Sequence, residues 1–177
     1  MRYAALLRAV NVGRRGKLAM EDLRAAFERA GFEDVATHGN TGNVVFSSGE
    51  RSAATVTATI ERWLSKAVGY DGDVFVLTHA QLAKAADANP FRSRLAGGEH
   101  QCYLAFLGAS PASSKRRAIE QAGGDVYEIA VRGRVLYYAY ARADAARRRE
   151  IDVERILGVR ATARSFKVVD KLVALTA

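Results

Sequence analysis

Two stretches of the chain concentrate side chains able to hold an anion. Asn11, Arg14, Arg15 and Lys17 stand in a loop punctuated by Gly13 and Gly16, and Asn40, Thr41, Gly42 and Asn43 follow His38 in a tight connection. Guanidinium and ammonium groups supply charge, side-chain amides supply donors, and glycines let backbone N–H groups turn toward one anion. A phosphorylated small molecule is the ligand class this chemistry suits. The run Gly13-Arg14-Arg15-Gly16-Lys17 matches neither G-x-G-x-x-G nor G-x-x-x-x-G-K-[ST], so neither nucleotide-loop motif is present. The same residues also have a plain structural use: Gly13 and Gly42 permit positive φ, and Asn11 and Asn43 can hydrogen-bond their own turns.

A second set offers a different chemistry. Tyr138 and Tyr140 fall two apart in an apolar run, so a strand places both on one face. With Arg132, Arg134 and Arg164 gathered at one edge of the same sheet, they would suit nucleic acid, whose bases stack on aromatics and whose phosphates pair with arginine. The RNP1 pattern is missing, and packing of amphipathic tyrosines explains the pair equally.

Catalytic constellations are thin. His38, His79, His100 and Cys102 are scattered without zinc spacing, so no metal site is expected. Asp71 and Asp73 flank a glycine in what reads as a solvated turn, and no nucleophile-elbow motif is present. An enzyme of unknown reaction, with His38 or His79 as acid or base, stays open as a third reading beside the anion-binding module and the nucleic-acid-binding protein. No cofactor is indicated.

The elements that must position these residues follow from periodicity. Tyr3 to Val10 reads as a buried strand, Met20 to Ala30 as a helix, and Val35–Thr37 and Asn43–Ser47 as strands around the connection 38–42. Val56, Ile60, Trp63, Leu64 and Ala67 form one helical stripe. Asp73 to Leu77 is a strand, and Thr78 and Gln81 make a capping box that opens a helix ended by Asn89-Pro90. The second half repeats the order. Gln101–Leu107 is a strand, Ser110-Pro111 opens a helix ending at Gly123, and strands 126–131 and 134–140 flank Gly133. A helix then stops at Gly158, a strand covers 161–164, and a last helix carries Val169, Leu172 and Val173. Each half is β-α-β-β-α-β-α, whose first six elements are the ferredoxin-like split βαβ unit. The expected fold class is α+β, a duplicated pair of ferredoxin-like halves with mainly antiparallel sheets packed together. Residues 1–90 form the first half, 91–100 a linker and 101–177 the second half, or the whole is one fused domain. In this topology the end of the first strand, the 38–42 connection and the end of the fourth strand are expected at one edge, with Thr78 and His79 nearby.

Composition bounds the partners. The 177 residues carry 27 Lys and Arg against 19 Asp and Glu, a net charge of +8, with 49% hydrophobic and 26% charged residues, an ordinary globular balance. Residues 101–177 hold most of the surplus, 14 basic against 8 acidic. Arg147-Arg148-Arg149, followed by Glu150, reads as a solvated face. One cysteine makes no internal disulfide, and no apolar stretch has the length of a signal core or a membrane span. A cytoplasmic location, no membrane partner, and a monomer in preference to a larger assembly are the expectations.

The stretches Ala5-Leu-Leu-Arg-Ala-Val-Asn-Val-Gly13, Lys17-Leu-Ala-Met20, Thr41-Gly-Asn-Val-Val-Phe46 and Asn89-Pro-Phe91, in this order, resemble the bacterial domain-of-unknown-function family 1697. The resemblance runs nearly end to end and is strongest in the first half. It implies an α+β fold of two duplicated halves and no particular activity. The chain departs from that pattern at Ala143–Arg148, in place of a Gly-rich turn with Ser-Lys, and at Arg164–Val168, which keeps the Arg and an aromatic but loses the amides.

Overall fold

Five consecutive apolar side chains, Tyr3 to Leu7, make β1 (Arg2–Leu7) a central strand with both faces fully buried. The computed structural model describes residues 1–11 and 18–177. Gly13, Arg14, Arg15 and Lys17 of the expected anion loop therefore lie outside the described residues. The chain divides into two compact units, one of Met1–Leu82 with Lys171–Ala177 and one of Ala83–Asp170.

In the first unit β1 is followed by α1 (Met20–Arg29), β2 (Glu33–Thr37), β3 (Asn43–Ser47), α2 (Ala53–Val68), β4 (Val74–Thr78) and the start of α3 (His79–Asp87). The strands order β2-β3-β1-β4, every neighbour antiparallel. One sheet face carries Tyr3, Ala5, Leu7, Val44 and Phe46, and Leu23 and Phe27 of α1 and Val56, Ile60 and Leu64 of α2 close over it. Phe46 anchors this core, with Phe32 at 4.7 Å and Phe27 at 5.3 Å between ring centroids. Of the stripe expected on α2, Val56, Ile60 and Leu64 are buried, while Trp63 is half-buried and Ala67 exposed, as the narrow contact of a helix with a sheet allows. Ser52 caps that helix and Gly69 ends it in the left-handed conformation. The Thr78–Gln81 capping box forms as expected, with the Gln81 N–H donating to Thr78 Oγ1 and the Thr78 N–H donating to Gln81 Oε1.

The second unit repeats the plan with β5 (His100–Leu107), α4 (Ser113–Gln121), β6 (Glu128–Arg132), β7 (Val135–Ala141), α5 (Val153–Leu157), β8 (Ala161–Ser165) and the start of α6 (Phe166–Thr176). Its strand order, β6-β7-β5-β8, is again fully antiparallel, so the duplicated ferredoxin-like architecture is present. α4 begins at Ser113, with Ala112 as N-cap, two residues beyond the Ser110-Pro111 start that the sequence suggested. Short 3-10 helices at Arg92–Leu95 and Arg142–Arg147 complete the described elements. Ala105, Leu107, Ile119, Leu136 and Leu157 form the core between the sheet and its two helices. Among the described residues no helix is long and apolar enough to cross a membrane.

Strand direction corrects one expectation. β4 runs antiparallel to β1, so its first residue, Val74, lies beside Leu7, and its last, Thr78, beside Tyr3. Thr78 and His79 therefore sit at the opposite sheet edge from the 38–42 connection, which adjoins Leu6 and Leu7. His79 faces Thr176 there, Nδ1 to Oγ1 at 3.3 Å.

Candidate functional site

The first expected site brings together segments remote in sequence. Asn11 adopts a left-handed backbone with φ 56°. Its Nδ2 donates to the carbonyls of Leu18 and Asn40, both at 3.1 Å, and its Oδ1 accepts the Leu18 N–H at 2.8 Å. One side-chain amide thus ties the end of β1 to both the 18 segment and the β2–β3 connection. Asn43 is fully buried, and its Nδ2 donates to the His38 carbonyl at 2.9 Å and to Thr41 Oγ1 at 3.1 Å. Gly42 has φ 70°, and a Cβ there would lie 2.9 Å from both Leu7 Cβ and Val10 Cγ2. The Asn11 and Asn43 amides are therefore engaged with the chain's own backbone and turn, while Asn40 and Thr41 are exposed.

The arginines of the second set are dispersed. Arg134 flanks Gly133 and donates from Nε to the Leu107 carbonyl at 3.1 Å and from Nη2 to that of Gly108 at 2.8 Å. Arg132 reaches the carbonyl of Ala88 at 2.8 Å. Arg164 does not join them. It pairs in register with Leu104, while Ala161 is the β8 residue beside Leu107 at the hairpin edge, about 10 Å away at the usual strand rise. Its buried guanidinium donates to Thr162 Oγ1 and the Ala163 carbonyl, at 2.9 and 2.8 Å.

Tyr138 and Tyr140 do share a face, as their spacing required, but it is the helix-covered one. The period of two that aligns them also aligns Leu136, which is packed in the core under α4 and α5. An open base-stacking platform is thus excluded for this pair. Instead they line a cavity of about 320 Å³ within the second unit. Tyr103, directly opposite Tyr138 in the β5–β7 register, lies parallel to it at 5.1 Å between centroids and to Tyr140 at 6.4 Å. Tyr127 stands across them, its plane 73° and 79° from those of Tyr138 and Tyr140. Ile119, Ile129, Leu136, Ile151 and Val153 add apolar wall, and Arg148, Arg149 and Glu150 complete the lining.

Electrostatics at this cavity are set by burial and by the arginines. The Arg148 guanidinium lies over the Tyr140 ring, 4.9 Å from its centroid, and Nη1 donates to the Tyr140 hydroxyl at 3.0 Å. That hydroxyl donates in turn to Gln101 Oε1 at 2.5 Å, and Arg148 Nε donates to the Ala145 carbonyl. Arg147 binds Asp125 and Asp144, which fixes the segment entering the cavity wall. The Tyr127 hydroxyl donates to the Arg149 carbonyl. The side chains of Arg149 and Glu150 take part in no hydrogen bond or ion pair among the described residues, nor does the Tyr138 hydroxyl in a hydrogen bond. Burial, then the neighbouring phenols, pushes the Tyr138 hydroxyl well above its ordinary range, and burial raises Tyr103 and Tyr127 too. All three are neutral hydrogen-bond donors at physiological pH.

Sequence reasoning saw two of the four tyrosines. Tyr103 was hidden because its partnership with Tyr138 is a cross-strand register, and Tyr127 because the sequence put it inside a strand 126–131, whereas β6 begins at Glu128. The Arg147–Arg149 run read as a solvated face, yet Arg148 folds back over a ring. The signal that could have found the site was the tyrosine excess in residues 103–140 beside that run.

On the opposite face of the same sheet, Cys102 is buried against Asn89, whose Nδ2 is 3.5 Å from Sγ, and burial pushes the thiol up to about 11. Among the described residues no group of three or more His, Cys, Asp or Glu side chains is arranged to hold a metal.

Comparison with known proteins adds kinship. No curated protein matches the chain. Among solved structures, a conserved bacterial protein from Streptococcus pneumoniae is similar over 99% of this chain and 98% of its own, with a TM-score of 0.74 and 20% identity, a likeness of fold. The model of a family described as protein of unknown function (DUF1697) matches residues 1–137, and the chain belongs to that family.

Proposed function

We propose that the protein is a binding module for a small anionic, phosphate-bearing ligand, held in the tyrosine-lined cavity of the second unit. The observation that carries this reading is a concave, partly aromatic space with an exposed guanidinium in its lining, that of Arg149, which acts on the Asp125 carboxylate at a distance and makes no hydrogen bond or ion pair among the described residues. Its volume of about 320 Å³ falls within the roughly 300–1,000 Å³ of small-molecule sites. Apolar and aromatic walls with a few polar groups are the usual make-up of such sites, and arginine is the side chain best shaped for phosphate. The second unit also carries sixteen basic against ten acidic residues, which draws anions toward it.

Thermal-shift screening with orthophosphate, sugar phosphates and nucleotides tests the reading. A ligand at a hundredfold excess over Kd adds about 2.7 kcal/mol, a rise of roughly 5–11 °C for a chain of this size. Arg149→Ala should remove most of that rise. No shift with any phosphate compound at millimolar concentration overturns it.

The Asn11–Asn40 hydrogen bond favours a second reading, because it joins the two segments first expected to hold an anion. There the ligand would meet the exposed Asn40 and Thr41, and Arg15 and Lys17, outside the described residues, are the cations the sequence offers for it. A shift abolished by Arg15→Ala with Lys17→Ala, and kept in Arg149→Ala, selects that rim over the cavity.

A further inference from the structure

We infer that the ligand of the tyrosine cavity is a single nucleoside monophosphate, its base set against the tyrosines and its phosphate against Arg149, an assignment that rests on the cavity reading above. Four observations carry it. First, the wall is aromatic: Tyr103, Tyr138 and Tyr140 present near-parallel rings, and Tyr127 stands across them. Bases stack on such rings whatever their identity, since every base has a π-face.

Second, a planar cation already occupies part of that wall. The Arg148 guanidinium lies over Tyr140. With Arg148 in place and Arg149 beside it, a cationic ligand such as a quaternary ammonium would meet like charge. A neutral ring could stack on either the guanidinium or the phenols.

Third, the cavity lining presents solvent-open hydrogen-bonding groups that make no hydrogen bond to the described residues. The Tyr138 hydroxyl is a neutral donor, and the Glu150 carboxylate accepts only; neither has a hydrogen-bonding partner among the described residues. A hydrocarbon ring would leave both unanswered. The edge of a nucleobase carries ring acceptors for the hydroxyl and N–H donors for the carboxylate. Fourth, a volume of about 320 Å³ holds one nucleotide and not a run of them.

Titration calorimetry on the full chain tests the assignment. The probes are the monophosphates of adenosine, guanosine, cytidine and uridine, with ribose 5-phosphate, orthophosphate and an eight-residue single-stranded RNA. At least one mononucleotide should bind tenfold or more tightly than ribose 5-phosphate. Tyr138→Phe, which keeps the ring and loses the hydroxyl, should weaken that binding severalfold, and Arg149→Ala tenfold or more. Both variants should keep the wild-type melting temperature without ligand, since neither group is bonded within the chain. Ribose 5-phosphate binding as tightly as every nucleotide overturns this inference and leaves the anion-binding reading standing. Mononucleotide binding unchanged in both variants overturns it by placing the site elsewhere. RNA binding far tighter than any mononucleotide, and falling steeply with salt, overturns it in favour of a nucleic-acid surface. No binding by any phosphate compound removes both readings.

Discussion

Gly42 provides the sharpest check on the geometry that joins β1 to the 38–42 connection. Its φ of 70° is left-handed, and a Cβ there would sit 2.9 Å from Leu7 Cβ and Val10 Cγ2. Gly39, in the same connection, has a φ of 65° but open space around its Cβ position. Alanine at either site incurs the left-handed penalty, about 1 kcal/mol. At 42 it also overlaps a β-carbon held by a central strand, and overpacking of that kind costs about 2 kcal/mol. Gly39→Ala should therefore lower the melting temperature by roughly 2–4 °C and Gly42→Ala by roughly 6–12 °C. Differential scanning calorimetry of the two variants beside the wild type reads both numbers. Because the backbone term is common, the difference between variants isolates the contact of the connection with the end of β1. Equal losses in the two variants would show that Gly42 does not seat against Leu7 and Val10, and the rim formed around Asn11 would lose its support.

Asn11→Ala removes three hydrogen bonds and places alanine at a φ of 56°, so it should destabilise by about 3 kcal/mol, while Asn11→Gly, free of the backbone penalty, should cost about 2 kcal/mol; urea titrations measure both. Burial raises the Tyr137 hydroxyl from 10.0 to about 12 and the Cys102 thiol from 9.0 to about 11, so the fold favours their protonated forms. Their contribution is complete below pH 9, and it is lost for Cys102 between pH 9 and 11 and for Tyr137 between pH 10 and 12; the urea midpoint should fall across that window, and less so in Tyr137→Phe. Cys102, buried and with its thiol at about 11, should react with a thiol reagent at pH 8 about a hundredfold more slowly in the native protein than in denaturant. Native labelling as fast as denatured labelling would contradict the packing of β5.

Local rules account for the elements. The run from Tyr3 reads as a buried strand, though it ends at Leu7 and not at the expected Val10, Val56, Ile60 and Leu64 read as one face of a helix, and Thr78 with Gln81 as a cap, because each depends on neighbours within a few residues. Repetition of the same element order then implied the duplicated ferredoxin-like plan. The candidate site was legible in fragments. Tyr138 and Tyr140 were placed on one face by a spacing of two, but which face is covered by α4 and α5 is not a local property.

What the sequence by itself determined is periodicity: the order of strands and helices, the Thr78–Gln81 cap, and the split βαβ unit in each half. What only the tertiary structure decided is who meets whom across that order. The β5–β7 register put Tyr103 opposite Tyr138, the antiparallel course of β4 carried Thr78 away from the 38–42 connection, and the turn of chain after β7 laid Arg148 on Tyr140. The physical reason is range. Backbone propensity and hydrophobic period act over a turn or a strand, whereas a cavity is assembled from side chains tens of residues apart that share a site only after the whole sheet has closed.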